Sequence, residues 1–230
     1  MNNQIYPVLG FSEPVSCVTH LFSAGIFLIF SVFLLHGSRR GFGHRFNLGL
    51  FAFCVIFSLS MSGVYHLLSA GGAGRAVLQR LDHAGIFALI AGTFSAVHGL
   101  LFRGLARWGM IFLIWCAAIT GITLKTIFFD DVAEWFGLLM YLGLGWIGLL
   151  SGFLIWRHYD FRYIRALLWG GLAYTFGAVL EFARWPVLIS GIIGPHEIFH
   201  IFVLLGIAYH WRFVHRASRH HEPLTRPITV

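Results

Sequence analysis

The chain has 230 residues, of which 58% are hydrophobic and only 11% charged, with 24 Phe, 8 Trp and 27 Gly. So few charges cannot cover a water-soluble domain, whereas a bilayer needs none on its lipid face. The net charge of +7 does not point to nucleic acid, because the basic residues sort by loop as they do in a membrane protein.

Apolar runs of about 20 residues, each enough to cross ~30 Å of hydrocarbon, recur along the whole chain. Seven spans are predicted, at 15–36, 46–68, 81–102, 108–128, 135–156, 164–185 and 195–214. No Pro/Ser-rich linker or charged block interrupts them, so residues 1–230 read as a single domain, with 215–230 as a basic tail. The runs are continuous rather than alternating, and backbone groups in lipid must be satisfied internally. Helices are therefore expected, not barrel strands. Trp108, Trp135, Trp156, Trp185 and Trp211 lie near span ends, where an interfacial belt forms.

In chain order, the opening "MNNQIYPVLGFSEPV" lacks the basic segment and small-residue cleavage site of a signal peptide, so the first span is expected to stay. Cys17, Cys54 and Cys116 fall in or beside three different spans without C-x-x-C spacing, and read as small apolar side chains. The second span ends "SLSMSGVYHLLSAGG", placing Ser62 and His66 at i and i+4 on one face. The third opens "QRLDHAGIF", with Asp82 at the matching depth and His98 further along. Gly143, Gly145, Gly148 and Gly152 in the fifth span are expected to pack closely against another helix. Glu181 in the sixth is followed at i+3 by Arg184, so it is either that residue's ion partner or an extra acid in the bundle. The seventh opens "GPHEIFH", a literal H-E-x-x-H in which His196 and His200 share a helix face with Cβ atoms roughly 5–6 Å apart. Two imidazoles need that spacing to grip one metal ion. His210 lies about 15 Å further along the axis and is expected to meet His20 in a separate polar contact.

With spans alternating in direction, the end of the second, the start of the third and the start of the seventh share one side of the membrane. Ser62, His66, Asp82, His196 and His200 can then meet at one level, although each could also serve as a cap or an interhelical hydrogen bond. Of the 16 Lys and Arg, 4 fall on the amino-terminal side and 12 on the other. The positive-inside rule places the carboxyl terminus in the cytoplasm and the amino terminus outside.

The set S-x-x-x-H, L-D-H-A-G-I-F and H-x-x-x-H, with E-P-x-S-x-x-T-H leading into the first span, resembles the hemolysin III-type proteins. These are bacterial relatives of the adiponectin and progestin receptors, within a wider group that includes the alkaline ceramidases. The resemblance covers about residues 13 to 214 and includes "IAGTF", Lys125 and "YLGLGW"; "GTFSAVH" departs from it by lacking Tyr-Thr-Pro and adding His98. It implies an all-α integral membrane fold, a seven-transmembrane helix bundle with an intramembrane zinc site. His66, His196 and His200 would bind zinc, Asp82 would act as base on the zinc-bound water, and Ser62 would lie beside it. Three neutral imidazoles leave one coordination position open and the ion's charge undiminished. The implied activity is zinc-dependent hydrolysis of a lipid amide or ester, with membrane lipids as partners and the bacterial inner membrane as location. In the receptor members the amino terminus and zinc side face the cytoplasm, opposite to the orientation the charges give here. Two other readings stay open. One is a receptor or membrane-homeostasis protein with structural zinc. The other is an intramembrane metalloprotease with Glu197 as base, although such proteases place the His motif before the Asp and here the order is reversed.

Overall fold

Inside lipid the helix is the simplest way for a chain to satisfy its own backbone. The computed structural model describes residues 5–8, 10–38 and 41–219, and its regular elements there are all helical. They are α1 (Pro14–His36), α2 (Phe42–Leu67), α3 (Ala73–Leu101), α4 (Gly104–Ile127), α5 (Glu134–Trp146), α6 (Gly148–His158), α7 (Phe161–Phe182) and α8 (Pro195–Arg219). Seven stretches are long and apolar enough to cross a membrane, α5 and α6 together forming the fifth. Large apolar side chains such as Phe22, Leu105 and Phe112 face outward, an arrangement that suits lipid and not water. The chain is an integral multi-pass membrane protein.

Two boundaries differ from the sequence reading in ways that matter. α3 begins at Ala73, eight residues before the predicted start, because "AGRAVLQR" is polar yet built largely of strong helix formers. Asp82 therefore sits well inside the helix and not at its opening. α8 continues to Arg219, so the first residues of the predicted basic tail are helical. The rest of that tail, with His220, His221 and Arg226, lies outside the described residues, as do Arg39 and Arg40.

α3 is the centre of the bundle: 83% of its most apolar window is buried, against 17% for the α5–α6 stretch. Gly85, Gly92 and Gly99 recur every seven residues, two turns, on the face that meets α2. A Cβ there would stand 3.0 Å from Ser58 Cα, 2.8 Å from Cys54 Cβ and 2.5 Å from Asn47 Cγ respectively. α7 and α8 approach in the same manner, with Gly170 against His210, Gly177 against Phe202 and Gly206 against Tyr174. Small residues let backbones close in where the hydrophobic effect offers no help.

The glycines expected to pack closely do not. A Cβ at Gly143, Gly145 or Gly152 would meet nothing within 4 Å, and one at Gly148 would meet only Phe94, at 3.5 Å. Four glycines in ten residues instead weaken the helix, and α5 passes into α6 at Ile147, whose backbone stays in the helical region. Gly145, Gly148 and Gly152 line a cavity of about 640 Å³ walled mainly by apolar side chains of α3, α5, α6, α7 and α8. The cavity lies between two packed cores, one around Phe51, Leu59, Ile207 and Phe213 and the other around Phe87, Phe94, Ile114 and Leu144.

Replacing Gly92 with Leu overpacks the α2–α3 seam and is expected to lower stability by about 1–3 kcal/mol. Gly143→Leu has open space and should change it by no more than about 0.5 kcal/mol. Unfolding of the two purified variants in one detergent compares them; equal stability would remove the distinction.

Candidate metal centre

The last turn of α2 carries His66, and the first two turns of α8 carry His196 and His200. The alternation of helix direction brings these ends together. One ring nitrogen from each of the three lies within 4.8 Å of the other two, a grouping that could hold a metal ion. His66 and His200 are buried and His196 is about one-third exposed.

Carboxylates decide what the rings offer one another. Glu13, the residue before α1, accepts a hydrogen bond from His66 Nδ1 at 2.5 Å. Its other oxygen accepts from Arg75, which also donates to the Leu68 carbonyl. Burial alone would raise the Glu13 carboxyl, but the hydrogen bonds it accepts from His66 and Arg75 outweigh it and hold the group below the usual carboxylate range. Glu181 on α7 accepts from His196 Nδ1 at 3.0 Å. With both Nδ1 hydrogens directed at carboxylates, the Nε2 atoms of His66 and His196 carry lone pairs; these tautomers are assigned from the partners. The two Nε2 atoms are 3.3 Å apart, and His196 Nε2 is 3.1 Å from His200 Nε2. Metal–nitrogen bonds of about 2.0–2.1 Å in a tetrahedral site put neighbouring nitrogens about 3.3 Å apart. The donor set therefore fits a cation, with the far nitrogens of two of the three rings, His66 and His196, fixed by carboxylates.

The other predicted residues fall around this centre in different ways. Ser62 is buried one turn before His66 on α2. Asp82 is half-buried on α3, close enough for its charge to act on Tyr65 and Tyr141, and it is not part of the converging ligand group. Glu197, the acid of the H-E-x-x-H stretch, is fully buried and turned toward the start of its own helix. It accepts from the Gly194 backbone N–H at 2.9 Å and from Ser16 Oγ at 3.1 Å, as a capping residue does.

One open alternative is decided and one expected pairing is replaced. Arg184 pairs with Glu134 at 3.2 Å, leaving Glu181 to His196, so Glu181 is the extra acid. His20 does not meet His210. It stacks on His200 with ring centroids 3.9 Å apart, and neither of its nitrogens has a hydrogen-bond partner. His210 instead lies 3.2 Å from the Leu167 carbonyl and edge-on to Tyr174. The distance along α8 keeps His210 from the centre, as expected, but α1 enters at the other end and delivers His20 directly onto it. His98 bridges Ala106 O and Ser151 Oγ, both at 2.8 Å, away from the centre. Sequence reasoning missed Glu13, Arg75 and His20 as neighbours of the histidines. An acid within an apolar run was the available signal for Glu181.

The chain is similar to known proteins over most of its length. The family described as haemolysin-III related matches residues 11–211. The chain is 28% identical over 207 residues to Hemolysin-3 of Bacillus cereus, covering 85% of this chain and 87% of that protein. It is 29% identical over 132 residues to the Hemolysin-3 homolog of Bacillus subtilis (strain 168), covering 57% of this chain and 59% of that protein.

Loss of a ring-fixing carboxylate is expected to weaken metal affinity. Glu13→Gln and Glu181→Gln should each bind cobalt(II), followed by its absorption spectrum, roughly 10–100-fold more weakly than the unaltered protein. Unchanged affinity in both would mean that these carboxylates do not orient metal ligands.

Proposed function

The chain belongs to the haemolysin-III related family, and we propose that it is a zinc-dependent hydrolase acting within the membrane on an amide or ester of a lipid. The observation that carries this reading is the set of three convergent histidine nitrogens, two of whose rings are held by carboxylates. Imidazole ligands without thiolate or further carboxylate suit zinc. A structural zinc normally has four protein ligands, and among the described residues the group numbers three. That count favours an open position and a catalytic role over a purely structural one. When bound, zinc supplies a Lewis acid for a carbonyl oxygen and brings the pKa of its water to about 7.

The chain's own residues supply the rest. Glu13 and Glu181 fix ring orientation and tautomer. We assign Asp82 as the carboxylate that takes the proton of the attacking water and returns it to the leaving group. Water adds to the carbonyl carbon, the carbon–nitrogen or carbon–oxygen bond breaks, and a carboxylate leaves with an amine or alcohol. Ser62, beside His66, offers a hydroxyl to the polar part of the substrate. The apolar cavity supports a lipid substrate. Its walls include Ser58, one turn from Ser62, Ile86, one turn from Asp82, and Phe199, next to His200. An acyl chain lying in it would bring its polar end to the histidines. The protease reading loses support because the Glu197 carboxylate is committed to Gly194 and Ser16. The charge distribution supports a cytoplasmic carboxyl terminus, with the histidine end facing outward, in a bacterial inner membrane.

Purified protein is expected to hold about one zinc per chain. Asp82→Asn should keep the metal while turnover falls by about 10²–10⁴, and Glu197→Gln should keep both. Untargeted lipid analysis of cells carrying each variant, with zinc content measured in parallel, reads both effects. Full activity in Asp82→Asn would remove the proposed base. A reporter enzyme fused after Val230 should be active in the cytoplasm, and periplasmic activity would reverse the orientation.

A further inference from the structure

The end of the bundle opposite the histidines is strongly basic, and Asp160 is its one acidic residue among those described. Two helices concentrate the charge. Arg162 and Arg165 open α7 at i and i+3, and Arg212 and Arg216 lie near the end of α8 at i and i+4, so each pair shares a face. All four are exposed. The glycine contacts that draw α7 and α8 together lie further along the bundle. At the basic end the two helices border a cleft of about 210 Å³ lined by the four arginines together with Trp169 and Tyr209. Arg216 lies over the Tyr163 ring, 5.0 Å from its centroid. None of the ion pairs among the described residues involves these arginines. Four like charges at one cleft call for an anion.

The faces running inward from the cleft indicate which anion. Along α7 the arginines are followed by Trp169, Leu172 and Phe176 at alternating spacings of three and four, and all three are exposed. Along α8 in the opposite chain direction come Tyr209, Leu205 and Ile201, again exposed. Each stripe passes from guanidinium to amphipathic aromatic to purely apolar side chains. A phospholipid has the same order: phosphate, glycerol ester, acyl chain. Guanidinium forks match phosphate oxygens in geometry as well as charge, and basic pockets between membrane helices suit anionic headgroups.

We propose that the arginine cleft between α7 and α8 binds the phosphate headgroup of an anionic phospholipid whose acyl chains lie along the exposed faces of those two helices. The site is separate from the histidine centre and stands whether or not that centre is hydrolytic.

Native mass spectrometry of the full chain in detergent, titrated with phosphatidylglycerol or phosphatidylcholine, tests this. Phosphatidylglycerol should bind at least about tenfold more tightly, and Arg165→Gln/Arg212→Gln should weaken it about thirtyfold. Arg165→Lys/Arg212→Lys should stay within about fivefold, since charge is kept although the fork is lost. Arg103→Gln/Arg157→Gln, which removes the same charge from the same end but not from the cleft, should leave binding unchanged. Equal loss in the two Gln double variants would reduce the effect to general surface charge and overturn the site. Equal binding of the two lipids, or displacement of the lipid by inorganic phosphate at matched concentration, would overturn it as well.

Discussion

Three imidazole nitrogens pointed at one small volume is the constraint on which this structure turns. With Nε2 atoms 3.1 and 3.3 Å apart and two of the Nδ1 hydrogens committed to carboxylates, the His66 and His196 rings present lone pairs to one another. Polar groups at such depth are costly unless they have a partner. The surrounding helices appear as the means of enforcing the arrangement.

The first two turns of α1 do most of that enforcing. Glu13, Ser16 and His20 follow one another at i, i+3 and i+7, a single helix face. Glu13 holds the His66 ring, Ser16 donates to Glu197 at the opening of α8, and His20 stacks on His200. The Glu13 backbone N–H also donates to the His66 carbonyl at 3.1 Å, and that of Ser12 to the Leu67 carbonyl at 3.3 Å. One short segment thus ties the end of α2 to the start of α8, the two elements that supply all three histidines. Glu181 on α7 completes the support from the other side. Behind these polar contacts, the glycine seams of α2–α3 and α7–α8 set how closely the rods stand. A mainly apolar cavity remains beside Gly145, Gly148 and Gly152.

Much of this was legible in the sequence. Span number and approximate position follow from apolar run length, because lipid thickness imposes it. The convergence of His66 with His196 and His200 follows from helix alternation together with the i, i+4 rule. What escaped was information carried by partners rather than by spacing. "E-P-x-S-x-x-T-H" could be recognised as a motif, but its Glu, Ser and His gain meaning only once α1 is seen lying between α2 and α8. The fifth-span glycines looked like a packing surface because glycine has the same appearance in a seam and beside a cavity. Gly85, Gly92 and Gly99, the actual seam, are spread over two turns per step and do not form a visible cluster. The early start of α3 was hidden because polar helix formers outside the hydrocarbon leave no hydropathy signal.

X-ray absorption at the zinc edge, on full-length protein purified without added metal, tests the central claim most directly. About three histidine nitrogens at roughly 2.0–2.1 Å with one further light-atom ligand are expected. A sulfur shell near ~2.3 Å, or protein that carries no metal and binds none when zinc is supplied, would contradict it.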